Sequence, residues 1–474
     1  MTSSSNAPTV TAARACGILS SAFPGRVVLR SDSEFQSQKD QPWCKNCWLP
    51  AACFVRPADT AGVAAALKFV KDAGVKFAVR CTGHNCNPGF SSVGNDGVVI
   101  DLHDLKSLEM GNDGILRAGA GNTWGDVYTF LEERGLSAVG GRSPNVGISG
   151  YLLGGGMSAF PNLHGMAADS VVNFEVVLAD STIINANANE NVELHRSLKG
   201  GGSNFGIVTR FDIQTYPLVS TQYAVLVFDP AGYEEVLHAT IELQKAMESD
   251  PKIGTFVSVN PTFMAVGLLY ADSEADQPKE LKAFFNLKSL VSTAVPVTKG
   301  TIKSLVDAIA LTTPSVRRLA TIATTRVSYD FYLDVHKLWL DSMKKHPAID
   351  KLWYNIQPAS EATMQIGEDR GGNCMGIEKA SQTWWALVAE WPEEANDKAA
   401  AQGLEEFTEE VTKLAKVKGL HLDFLFMNDA GFPQNVLGSY GEGNVRMLRE
   451  TALKYDPESF FQKSQNGGFL LRNL

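Results

Sequence analysis

The stretch VRCTGHNCNPGFSS, residues 79–92, sets a single histidine, His84, between a glycine and an Asn-Cys-Asn-Pro-Gly run, directly after an apolar segment that reads as a strand. A strand end followed by small residues leaves backbone N–H groups free, and such a turn forms a nest that holds a pyrophosphate without any lysine. A histidine beside that nest can act on whatever is bound there. Two further runs, GGRSPNVGISGYLLGGGMS (140–158) and SLKGGGSNFGIVT (197–209), are dense in glycine. Glycine costs conformational entropy, so such density implies left-handed turns or a backbone that closely approaches a flat or charged ligand. The ligand implied is large, anionic and planar.

The standard alternatives are missing. No G-K-[S/T] makes a phosphate loop, and AGAGNTWG and GGGSNFG have one residue too many for the dinucleotide fingerprint G-x-G-x-x-G. There is no G-x-S-x-G nucleophile elbow and no H-E-x-x-H zinc helix. The remaining histidines (103, 164, 195, 238, 336, 346 and 421) show no ligand spacing. Cys44 and Cys47 in CKNC have redox or zinc spacing, but no second pair matches them, so no metal is expected and the two read as a structural pair or free thiols. Seven cysteines spread over 474 residues do not read as a disulfide framework.

The elements that would position these residues follow from periodicity. PADTAGVAAALKFVKDAGVKFAVR offers Asp59 and Thr60 as helix caps, runs Val63, Leu67 and Val70 down one face, stops at Gly74 and continues as the strand that leads to His84. GVVIDL (97–102) reads as a buried strand, WGDVYTFLEERG as a helix, VVNFEVVLADSTII as a hairpin turning near Asp180 and Ser181, and IVTRFDIQTYP as a half-buried strand ending at Pro217. Beyond Pro217 the glycine density drops. TFVSVNPTFMAVGLLYAD suggests two strands, TIATTRVSYDF (321–331) and TWWALVAEW one each, and NDKAAAQGLEEFTEEVTKLAK a helix. Such a mixture indicates an α+β layer domain. From about residue 426 glycine and asparagine return.

A net charge of −10 disfavours nucleic acid or an anionic membrane as partner, and no window reaches the roughly 18 apolar residues of a membrane span. The polar, Ser/Thr-rich start lacks the basic and apolar regions of a signal peptide, so the chain reads as cytoplasmic, or as secreted if a signal has been removed.

VRCTGHN, GVVIDL, GRSPNVGISGYLLGGG, GMAADSVVNFEVVLAD, GGGSNFGIVT, KYDPESFFQ and NGGFLL, in that order, resemble the berberine-bridge-enzyme-like branch of the vanillyl-alcohol-oxidase flavoproteins, in particular its fungal members. The resemblance runs from about residue 42 to 470. It implies a two-domain PCMH-type FAD-binding fold: a tail and lead-in (1–41), an FAD domain (42–217), an antiparallel-sheet substrate domain (218–425) and a C-terminal return to the FAD domain (426–474). It further implies FAD attached through His84 to the ring's 8α-methyl carbon, with Arg80, Cys81, Thr82, Gly83, Asn85 and Gly89 around it. Ser143 stands where many relatives have a cysteine that makes a second flavin bond, so a single bond is expected. Gly141, Gly147, Gly150 and Gly155 belong to the same block. Val146 matches the position proposed to gate oxygen, where a small valine accompanies oxidases. Ala168, Asp169, Gly202, Asn204, Gly206 and Val208 match segments that wrap the rest of the cofactor, although ELHRSLKGGG departs from the usual DLFWALRGGG on the adenine side.

The activity implied is hydride transfer from a substrate C–H to FAD, with O2 reoxidising the flavin and releasing hydrogen peroxide. A dehydrogenase or a non-redox cyclisation are the alternatives. The family's base varies, and the candidates here are Tyr329, Tyr354, Glu368, Asp369, Asn373 and Asn428. Trp384, Trp385 and Trp391 line an apolar pocket for a flat, lipophilic substrate or else form core.

Overall fold

The structure, a computed structural model, describes residues 9–310 and 314–474. The helix Thr60–Ala73 forms as its sequence dictates. Asp59 accepts the Gly62 N–H at 2.8 Å, Val63, Leu67 and Val70 are buried, and Gly74 ends the helix at φ 63°. It lies within a four-stranded sheet domain of β1 (Val27–Leu29), β2 (Cys53–Val55), β3 (Lys76–Arg80) and β4 (Gly97–Asp101), ordered β1-β2-β4-β3. β2, β4 and β3 are parallel, and the fully buried GVVID of β4 is the continuous apolar run such a strand requires.

A second, antiparallel sheet holds β5 (Leu108–Met110), β6 (Ile115–Gly119), β8 (Val171–Val177), β9 (Ile183–Asn187) and β10 (Ile207–Gln214), in the order β5-β6-β10-β8-β9. The short β7 (Leu136–Ser137) and β11 (Tyr216–Pro217) pair beside it. The hairpin read at Asp180 and Ser181 is β8–β9, with Ser181 at φ 70°.

The third sheet is antiparallel and eight-stranded: β12 (Ser220–Phe228), β13 (Ile253–Val259), β14 (Met264–Tyr270), β15 (Leu290–Thr301), β16 (Arg317–Arg326), β17 (Lys351–Ala359), β18 (Gln382–Trp391) and β19 (His421–Leu422). Its order is β15-β12-β14-β13-β17-β18-β16-β19. Helices Tyr233–Met247, Tyr329–Lys345 and Asp397–Val417 pack on one face around Trp339, Tyr332, Trp385 and Phe407. The other face covers the first domain. The C-terminal segment returns to that domain: Asn466 donates its N–H to the Phe77 carbonyl at 2.7 Å, and Phe460 stacks on Phe77. This is the α+β, two-domain PCMH-type arrangement with an antiparallel substrate-domain sheet.

Three sequence expectations change. The lead-in before residue 42 is structured from Thr9 onward, while residues 1–8 lie outside the described residues. Thr9 caps a helix, Val10–Ala22, that buries Ala12, Ala15, Cys16 and Leu19 against the Thr60–Ala73 helix, and β1 pairs with β2. A face made of alanine and cysteine carries too little hydrophobicity to stand out in a polar sequence. Cys16 and Cys53 form a disulfide, their Cα atoms 5.9 Å apart, whereas Cys44 and Cys47 are buried free thiols. Only the packing of the first helix onto β2 brings that pair together, which spacing does not reveal. Finally, 321–331 is not one strand: β16 stops at Arg326, and Ser328 caps the helix that starts at Tyr329.

Candidate active site

Between the first domain and the open face of the third sheet lies a cavity of about 540 Å³. β3 delivers the chain to its wall, where Gly83 turns at φ 69°. Among the described residues, the backbone N–H groups of Thr82, Gly83, His84 and Asn85 find no protein acceptor. That is the amide nest read from CTGHN, open to an anion. The glycine runs close in as their composition requires. A Cβ on Gly147 would stand 2.8 Å from both Cys81 Sγ and Thr82 Oγ1, and Gly202 turns at φ 66°. These bare backbones leave room for a planar ring, and the free amides leave room for its diphosphate, so the walls fit FAD.

His84 is held as a flat plate. Its ring stacks on Trp43 at 4.4 Å, and the Arg318 guanidinium covers Trp43 from the other side at 3.6 Å. Burial first, and then the charge of Arg318, lower its pKa to about 4, so the imidazole is neutral at ordinary pH. Arg318 is itself neutralised by Glu390 at 2.6 Å. Asn46 joins the two domains here, donating to the carbonyls of Cys86 and Arg318 at 3.1 and 2.9 Å.

The opposite wall is β17. Side chains alternate across a strand, and Trp353, Asn355 and Gln357 face the cavity while Leu352, Tyr354 and Ile356 face the helices. Gln357 links two charged groups: its Oε1 accepts from Arg142 Nη2 at 2.5 Å, and its Nε2 donates to Asp429 Oδ2 at 2.5 Å. Burial raises the Asp429 pKa, against the pull of Gln357 and Arg142. A carboxyl so placed binds a proton more readily than a free aspartate, which suits it to proton transfer. Trp353, Ala386, Val388, Phe426 and Phe469 make the surroundings largely apolar.

The structure brings Cys81, Thr82, Gly83, His84, Asn85, Gly141, Ser143, Val146, Gly147, Gly150, Gly202, Gly206 and Val208 to the cavity wall. Arg80, Gly89, Gly155, Ala168, Asp169 and Asn204 stand behind it as braces. Arg80 is buried in an ion pair with Asp101 at 2.5 Å, the Ala168 N–H donates to the Gly155 carbonyl at 2.9 Å, and Asn204 ties Gly201 to Phe469. Gly89 accepts from the Asn466 amide at 3.0 Å, and Asp169 from the Asn373 amide at 3.0 Å.

The candidate bases are corrected. Tyr329 opens a helix far from the cavity and donates to the Glu234 carbonyl. Tyr354 points into the helix layer against His336, 2.9 Å away, because its place on β17 is out of phase with Gln357. Glu368 pairs with Lys379 on the surface, and Asp369 accepts from Gln365. Asn428 does line the cavity, but its amide is used up: Oδ1 accepts the Gly156 N–H at 3.0 Å, and Nδ2 donates to the Gly150 and Tyr151 carbonyls. It staples the glycine loop. Trp385 and Trp391 are core, and Trp384 packs under Phe426. Sequence reasoning missed Trp43, Arg142, Arg318, Gln357 and Asp429. The available signals were modest: Trp43 precedes CKNC, and Asp429 follows a candidate that was named.

A cradle of glycines and free amides, a neutral histidine at the end of a parallel strand and a sheet roofing both define a PCMH-type FAD-binding oxidoreductase. The FAD binding domain family matches residues 51–187. The FAD-dependent monooxygenase macF of Penicillium terrestre is 34% identical over 441 residues, covering 91% of this chain and 84% of that protein. The bifunctional solanapyrone synthase of Alternaria solani is 32% identical over 469 residues, covering 96% and 89%. In fold the chain is similar to 6-hydroxy-D-nicotine oxidase from Arthrobacter nicotinovorans (TM-score 0.79, 21% identity, 93% of this chain and 96% of that one). It is also similar to a glucooligosaccharide oxidase from Acremonium strictum described with a 6-S-cysteinyl, 8α-N1-histidyl FAD (TM-score 0.77, 18% identity, 94% and 97%). The chain belongs to the family of these fungal FAD-dependent oxidoreductases.

Proposed function

We propose that this protein is an oxidase of a flat, largely apolar metabolite in fungal secondary metabolism, holding FAD by a single covalent bond through His84. One observation carries this reading: a neutral imidazole and a half-buried carboxyl, His84 and Asp429, face the same cavity from opposite walls. FAD, when bound, supplies hydride acceptance and delivery of electrons to O2. The chain supplies the rest. His84, held flat by Trp43, offers a ring nitrogen with a free lone pair for the tether. Asp429, oriented by Gln357, takes the proton of a substrate O–H or N–H. Ser143 offers no thiol for a second bond. The small Val146 on the wall leaves a path for O2.

The fungal relatives with which this chain aligns nearly end to end support the metabolic setting. Their names include monooxygenases, which makes oxygen insertion the second reading. Anaerobic reduction followed by rapid mixing with aerated buffer separates the cases. The oxidase reading expects fast reoxidation with one peroxide released per turnover. Slow reoxidation points to a dehydrogenase, and product labelled from isotopic O2 points to a monooxygenase. The Cys16–Cys53 bond bears on location: disulfides persist in oxidising compartments, which supports a secretory route over the cytoplasm.

A further inference from the structure

Arg142 lines the cavity wall, half-buried, and among the described residues no carboxylate lies within ion-pair distance of it. The contrast with the two fully buried arginines is direct. Arg80 has Asp101 at 2.5 Å and Arg318 has Glu390 at 2.6 Å, as burial of a guanidinium requires. Among the described residues Arg142 has one hydrogen-bond acceptor, the neutral Oε1 of Gln357, and the ring of Phe256 at 5.8 Å. A guanidinium carries five donors. Gln357 stands between Arg142 and Asp429, accepting from one and donating to the other, so the nearest carboxylate acts on Arg142 through its charge without a direct hydrogen bond.

A neighbour on β17 is also unsatisfied: among the described residues Trp353 Nε1 is buried without an acceptor, and Asn355 lines the cavity beside it. The free amides around His84 would hold the diphosphate of FAD, which leaves Arg142 for a different anion.

We infer that the substrate carries an acidic oxygen, the hydroxyl of an enol or phenol or a carboxyl group, and that Arg142 holds it as the oxyanion. This rests on the reading of the cavity as the substrate site and adds the chemistry of the substrate. For a hydroxyl, the O–H bond breaks, the proton goes to the Asp429 carboxylate, and the electron pair stays on the oxygen against Arg142. Trp353 and Asn355 donate to a neighbouring carbonyl of the same molecule. Arg142 is thereby a specificity-determining residue.

The test is equilibrium binding to the oxidised, flavin-loaded protein, followed by perturbation of the flavin absorbance. The probes are umbelliferone, its methyl ether herniarin, and naphthoate, which are planar and similar in size. Charge-assisted hydrogen bonds make umbelliferone, naphthoate or both bind at least about tenfold more tightly than herniarin above their own pKa values. In R142M the gap closes to within about threefold, the scale of a methylene contact, and R142K keeps part of it. Whichever probe loses more affinity in R142M identifies the hydroxyl or the carboxyl as the natural group. Equal affinity for all three probes in the wild type, or an unchanged preference in R142M, overturns the inference. So does an R142M effect confined to flavin retention, because Arg142 then serves the cofactor. Should R142M fail to fold, the wild-type comparison and R142K still decide. Binding needs no turnover, so failure of the oxidase reading shows separately, as slow reoxidation.

Discussion

Asn428 and Asp429 are adjacent in FLFMNDA and do opposite work. The amide of Asn428 is consumed in stapling Gly150, Tyr151 and Gly156, whereas the Asp429 carboxyl meets the cavity with one partner. D429N should lower kcat by about 10²–10⁴, the usual worth of a general base, with flavin content and visible spectrum unchanged. Steady-state assays check this, and a loss smaller than about tenfold moves the proton transfer elsewhere. N428A should instead loosen the glycine loop and lower flavin retention. V146L should slow reoxidation by O2 while sparing reduction by substrate, as stopped-flow traces of the two half-reactions will show. His84 was legible in the sequence because its neighbours are small and its motif is specific. Asp429 was not, because its property comes from burial beneath β17, and no local pattern encodes that.

At the scale of elements, β17 shows what alternation can and cannot tell. The strand was not among those read from the sequence, and the face that meets the cavity depends on pairing with β13 and β18, where a slip of one residue exchanges the faces. Tyr354 was therefore a reasonable candidate from the sequence and is core in the fold. I356A, on the same face, should destabilise the protein by about 2–5 kcal/mol while leaving probe binding in the cavity intact. Calorimetry paired with flavin absorbance separates the two effects. The N-terminal helix makes a related point: its alanine face was invisible until it docked, and the disulfide at Cys16 follows from that docking. Denatured protein should expose five thiols to alkylation before reduction and seven after it. Replacing both Cys16 and Cys53 by serine should cost about 3–4 kcal/mol, from the 37-residue separation of the pair.

The whole molecule was legible in outline. The glycine density falls between β11, which ends at Pro217, and β12, which opens the helix-backed sheet at Ser220. The way the sheet roofs the first domain depends on tertiary contacts such as Asn46 with Arg318 and Asn87 with Ala430. Burial also sets the acid response. His164, His195 and His336 are each lowered by burial from 6.5 to about 4. Between those values the unfolded chain binds more protons than the folded one, so stability is held above pH 6.5 and is lost as pH falls toward 4. Asp169 and Asp429, raised by burial, offset part of that loss. Melting temperatures across this window should fall steadily on acidification, and a flat profile contradicts the buried neutral imidazoles.

The account turns on His84 as the residue that carries FAD, and acid precipitation followed by peptide mass analysis tests it most directly. The wild-type pellet should be yellow, with the peptide containing His84 heavier by the attached flavin, and the H84A pellet should be colourless. A colourless wild-type pellet, with that peptide at its unmodified mass, would contradict the account.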